Sequence, residues 1–134
     1  MKIFDCFMYH NEDTVLDVRL NYLDKFVDNF IIVESTFNHR GQKKKLNFDI
    51  KKFPNFAKKI NYLILESQSN EIEEIEDSDS KDEKSRKLIL NGYRRDHYQR
   101  NYISTGLASA ESDDVIIISD IDEIPNLNKI KLKE

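Results

Sequence analysis

One cysteine, Cys6, excludes an intrachain disulfide. Its place in an apolar run marks it as a buried, inert thiol and not as a nucleophile. No apolar run approaches the ~20 residues of a membrane span. Met1-Lys2-Ile3-Phe4-Asp5 meets charge too early for a secretory leader, and no Asn-x-Ser/Thr acceptor occurs. The histidines, His10, His39 and His97, stand at no metal-ligand spacing and read as structural or surface residues. An excess of positive charge is also missing. The chain has 21 basic and 25 acidic residues and a net charge of −4, which gives no case for nucleic-acid binding. A reducing, cytoplasmic setting is expected, with no membrane span in the chain.

What is present is a chain of 134 residues, enough for one domain with a real core. Ile, Phe and Tyr are plentiful against a charged fraction of 34%, so the chain can bury enough to fold. Its charge is uneven: Lys43 to Lys59 is basic and Glu71 to Glu83 acidic. The basic stretch can meet a phosphate or anionic acceptor, but its simpler reading is a solvated face.

Ile3 to Tyr9 is an apolar, aromatic run that reads as a buried strand. Asn11 offers an N-cap, Glu12 and Asp13 suit a first helical turn, and Leu16, Leu20, Leu23 and Val27 repeat at helical spacing. A helix is therefore expected over 12–26. Phe30 to Val33 and Ile60 to Leu65 read as further strands, with a short interrupted helix over 49–59. Ser69 to Ser85 is acidic and serine-rich, expected to be a mobile insertion or an irregular helix. Arg86 to Ala110 reads as helical with a break at Gly92. Val115 to Ile118 is the strongest strand signal and runs into Ser119-Asp120-Ile121-Asp122.

Unbroken apolar strands alternating with helices predict an α/β fold with a mostly parallel sheet covered on both faces, all four strands being central. Ligands then lie beyond the carboxyl ends of the strands, where Glu34-Ser35, Glu66-Ser67 and Ser119-Asp120 fall. On extended backbone, positions i and i+2 share a side, so Asp120 and Asp122 converge while Ile121 turns inward. Two carboxylates suit Mg²⁺ or Mn²⁺, with water and phosphate completing the shell, and zinc is disfavoured. Asp-x-Asp alone is unspecific, since Asp77-Ser78-Asp79 matches as well. The four aliphatic residues before Asp120 set the second motif apart, although an exposed acidic turn is the competing reading. Asn11 and Glu12 sit where a helix N-terminus meets a strand end, suited to capping and to phosphate contact alike. Arg100, beside Gln99 and Asn101, has a guanidinium able to pair with pyrophosphate, or is a plain surface arginine.

Taken together, Ile3-Phe4-Asp5-Cys6-Phe7, Asn11-Glu12 and Arg19-Leu20 resemble the opening of glycosyltransferase family 17, the β-1,4-mannosyl-glycoprotein β-1,4-N-acetylglucosaminyltransferase family. Ile31-Ile32-Val33-Glu34-Ser35 with His39 and Gly41 is similar to its second block, Gln99-Arg100-Asn101 to its third, and Ile118 to Pro125 to its fourth. The resemblance implies a GT-A-like (Rossmann-like) fold and a UDP-sugar donor, with UDP-N-acetylglucosamine the expected one. It further implies a glycan or glycoconjugate acceptor, with Mn²⁺ or Mg²⁺ on Asp120 and Asp122. It makes Asn11, Glu12, Arg19, Glu34, Arg100 and Asn101 candidate donor-pocket residues. On this reading residues 1–134 form a single nucleotide-sugar-binding domain, the N-terminal half of the fold, truncated after the Asp-x-Asp strand. The acidic stretch 69–85 has no counterpart in the family, and the catalytic base is expected outside the chain, which would leave it incomplete for catalysis by itself. A non-catalytic nucleotide- or partner-binding module is the alternative. A metal-dependent phosphatase-like site ranks lower, because Glu123-Ile124-Pro125 fits that chemistry poorly.

Overall fold

In the computed structural model, which describes residues 1–132, the apolar runs form four strands: β1 (Ile3–Met8), β2 (Asn29–Ser35), β3 (Ile60–Leu65) and β4 (Val115–Ile118). They pair in the order β3-β2-β1-β4, and every pairing is parallel. Parallel strands need crossovers, and two helices supply the main cover: α1 (Asp13–Leu23) and α2 (Lys81–Asn101). The result is the α/β, Rossmann-like architecture expected from the strand pattern.

Alternation along β1 explains the two faces. Ile3, Phe7 and Tyr9 pack with Leu16, Leu20 and Leu23 of α1. Phe4 and Cys6 face the other way, joining Ile31, Val33, Leu65 and Ile103 in a second cluster. Tyr98 of α2 and the 3₁₀ turn Tyr102–Leu107 cover that side. Close approach there depends on Gly106, where an added Cβ would stand 2.8 Å from Ile31 Cγ2. Burying these aliphatic and aromatic side chains stabilises the fold by roughly 1.5–3 kcal/mol for each large one.

Several expectations need correction. Only β1 and β2 are central among the described strands; β3 and β4 form the edges. Ile116 and Ile118 on β4 are accordingly part-exposed at 36% and 50%. Helix α2 begins at Lys81, five residues before the expected Arg86, because the Ser80 side chain caps it by accepting from the Glu83 amide. It runs unbroken through Gly92 and ends at Asn101. The 49–59 segment forms only a 3₁₀ turn, Ile50–Lys52. The acidic stretch is laid along α2, where the Asn91 amide pairs both ways with the Glu73 backbone and Lys87 reaches Asp79.

From β1 the chain moves outward to β2 and β3, then crosses back to place β4 on β1's other side. The strand order thus reverses between β1 and β4. In an open parallel sheet that reversal leaves a crevice beyond the carboxyl ends of the strands.

Candidate active site

The crevice is framed first by the turn that follows β4. Strand β4 ends at Ile118, and the Glu123 amide donates to the Asp120 carbonyl at 2.9 Å. The Glu123 carboxylate in turn accepts from the Asp120 amide at 3.1 Å. Ile121 is buried while Asp120 and Asp122 are exposed, and both aspartates line the crevice. The two carboxylates therefore share a side as expected, but a tight turn places them there and not strand alternation.

Beneath this turn lies Arg19, fully buried on α1. Its Nε and Nη2 donate to the two oxygens of Asp5, at 2.8 and 2.7 Å. Nη1 donates to the carbonyls of Asp120 and Ile121, at 2.7 and 3.1 Å, and more weakly to that of Glu123. Nη2 also reaches the Ser119 hydroxyl, which passes its own proton on to the Glu123 carbonyl. The guanidinium stands 4.6 Å from the Phe7 ring centroid. Arg19 thus lies outside the donor pocket that the family resemblance implies for it: every N–H is spent inside the protein.

Glu34, another expected donor contact, is also fully enclosed. Lys44 Nζ and the Asn47 amide donate to one oxygen at 2.6 and 2.8 Å; the Phe48 amide and the Tyr62 hydroxyl donate to the other at 3.0 and 2.7 Å. Burial, and then the bond to Glu34, pushes the Tyr62 hydroxyl well above its ordinary pKa. Phe48 packs between Tyr9, Phe53 and Tyr62. Glu34 therefore pins the loop after β2, and that loop supplies one wall of the crevice.

The crevice encloses about 660 Å³. Tyr9, His10 and Glu12 approach from the end of β1, Asn38, His39, Arg40 and Lys44 from the β2 loop, and Asp96 and Gln99 from α2. A positive φ of 81° at Gly41 turns the loop at its tip, and Arg95 of α2 holds it through the His39 carbonyl. Arg100 donates to Asp120 Oδ1 at 2.9 Å and lies 3.7 Å from Asp96. The bond to Asp120, first among its causes, raises the Arg100 pKa further.

Of the expected donor residues, Glu12 lines the crevice and Arg100 touches it through Asp120. Glu12 occupies the N-cap position of α1 expected of Asn11, but its carboxylate turns back to accept from the His10 and Asn11 amides. Asn11 is exposed and Asn101 lies in a separate depression with Tyr93 and His97. His10 and His39, read from the sequence as structural or surface residues, both line the crevice. Tyr9, Asn38, Arg40 and Asp96 are functional candidates that the sequence reading misses, whereas Lys44 belongs to the basic stretch it weighed as a phosphate contact. Asp96 had a usable signal, standing one helical turn before Arg100.

The donor set at the turn is hard oxygen. One Asp120 oxygen is left over from Arg100, and the Asp122 carboxylate is hydrogen-bonded to none of the described residues. No third His, Cys, Asp or Glu joins them in a ligand cluster among the described residues. Such a pair fits Mg²⁺ or Mn²⁺, which keep water and take phosphate oxygens, and does not fit a closed zinc site. The family model for glycosyltransferase family 17 matches residues 1–134, the whole chain. No curated protein and no solved structure matches it.

Proposed function

The chain belongs to glycosyltransferase family 17, and we propose that its crevice binds a UDP-sugar through a divalent metal for transfer of the sugar to a glycan acceptor. The observation that carries this reading is the Asp120–Asp122 turn, exposed at the point where the strand order reverses and opening on the same crevice as a cationic loop. Asp120 and Asp122 would hold Mn²⁺ or Mg²⁺. When bound, the ion supplies positive charge for the diphosphate that leaves with UDP.

The chain's own residues divide the remaining work. Arg40 offers a cation to phosphate oxygens from the β2 loop, where Lys44 lines the crevice with its charge paired to Glu34. Arg100 holds Asp120 in place and stands beside it as a further cation. Tyr9, His10 and Glu12 form the floor at the end of β1, beside the N-terminus of α1, whose dipole favours an anion. UDP-N-acetylglucosamine is the donor assigned, on the likeness of the four sequence blocks to the family's.

Calorimetry with Mn²⁺, in the presence and absence of UDP, tests the site. Weak metal binding alone and tighter binding with UDP are expected, since two carboxylates leave most of an octahedral shell to water and phosphate. Unchanged metal-assisted UDP binding in Asp122→Ala would remove the assignment.

A further inference from the structure

We infer that Arg19 is the positioning residue of the metal turn, holding Asp120 and Asp122 in register for the ion from inside the protein. This rests on the proposed metal site. Arg19 is 101 positions from Asp120 in sequence, and yet its Nη1 bonds the carbonyls on both sides of the Asp120–Ile121 linkage. Fixing those carbonyls inward fixes the peptide planes, and with them the outward direction of the two aspartate side chains. Ile121, buried at 8% exposure, is the apolar half of the same anchor.

The arrangement has a charge logic as well. A lone guanidinium under the turn would repel an incoming dication. Asp5, also fully buried, takes the Nε–Nη2 edge of the fork and cancels that charge. The pair therefore delivers hydrogen-bond donors to the turn with no net charge beneath the ion. Because the ordering cost is met during folding, the turn is preorganised and the ion does not have to order it. A lysine has three donors on one point and cannot span Asp5 and the turn together.

The test measures UDP affinity by calorimetry at saturating Mn²⁺ and in EDTA, giving a metal-dependent increment for each variant. Arg19→Met should lose at least tenfold of that increment and keep the affinity seen in EDTA, with Arg19→Lys recovering part of the loss. Leu23→Ala, a core truncation on the same helix, should lose stability but keep the increment. If Arg19→Met does not fold, Asp5→Asn serves: it leaves positive charge under the turn and should cut the increment, most at low salt. An intact increment in whichever Arg19 or Asp5 variant folds, or an equal loss in Leu23→Ala, overturns the inference. A wild-type chain with no metal-dependent increment defeats the metal site itself, which is a different failure.

Discussion

Replacing Glu34 by glutamine separates a structural anchor from a ligand contact. Four donors converge on the carboxylate, two on each oxygen. An amide keeps one acceptor oxygen and presents an NH₂ group where the other two donors point. Each donor left without an acceptor costs about 1–3 kcal/mol. Lys44, only 11% exposed, also loses its counter-charge, and breaking a buried pair costs about 3–5 kcal/mol. These terms overlap, since Lys44 is one of the four donors and can swing toward the crevice. We expect Glu34→Gln to lose about 3–5 kcal/mol, a large share of the 5–15 kcal/mol that holds a typical domain. With a urea slope of about 1–3 kcal/mol per molar, the midpoint should fall by about 1 M or more. Tyr62→Phe removes one donor only and should cost about 1 kcal/mol. Chemical denaturation of the three proteins decides the matter. A Glu34→Gln variant within about 1 kcal/mol of wild type, but impaired in UDP binding, would show that Glu34 serves the ligand and that the anchoring argument is wrong.

Cys6 should resist thiol reagents at pH 8 until the protein unfolds, because burial, with Asp5 adding to it, pushes its thiol up to about 12; modification by a chromogenic disulfide at the rate of a free thiol in native protein would contradict this. The Tyr9 hydroxyl bonds Asp13 and holds its carboxyl below the ordinary 3.8. A depressed folded pKa stabilises above the unfolded value, and that contribution is lost as pH falls through the folded one. The stability gap between wild type and Tyr9→Phe should thus be widest near pH 6 and narrow below 3.8; urea midpoints across that range check the sign.

The central strand β2 was legible because burial on both faces writes itself as an unbroken apolar run, Phe30 to Val33; the edge strands Ile60–Leu65 and Val115–Ile118 also lie where the apolar pattern put them, although they are only partly buried. The start of α2 was less so, since Ser80 and Glu83 form a cap inside a stretch whose acidic composition suggested a mobile insertion or at most an irregular helix. The site divides similarly. Asp120 and Asp122 could be singled out because a strong strand leads into them. Arg19 and Glu34 were visible as charges in apolar surroundings, but a charge there serves a ligand or a buried partner equally well. Their partners decide, and besides Asp5 Arg19 finds its own across 100 to 104 positions, a separation that no local pattern encodes. Asp5 carried an unused hint: a carboxylate inside an aromatic strand demands a cation, although nothing in its spacing says which of the chain's basic residues answers.

The placement of β4 beside β1 also sets the order in which the molecule can be assembled during synthesis. The link from β1 toward β2 spans 25 positions, whereas that from the start of β1 to the start of β4 spans 112. Closing the longer loop costs only about 1.3 kcal/mol more in chain entropy, so equilibrium is little affected. Timing is another matter. At roughly 5–20 residues per second, a ribosome needs several seconds to move from β2 to β4. Throughout that interval one edge of β1 has its amides and carbonyls unpaired, an invitation to another nascent strand. The Arg19–Asp5 pair can already be in place, with Nη1 still waiting for the turn. The segment that finally covers the β1 edge is the one that brings Asp120 and Asp122, so a chaperone that shields this edge would act on protection from aggregation and on site assembly in a single step.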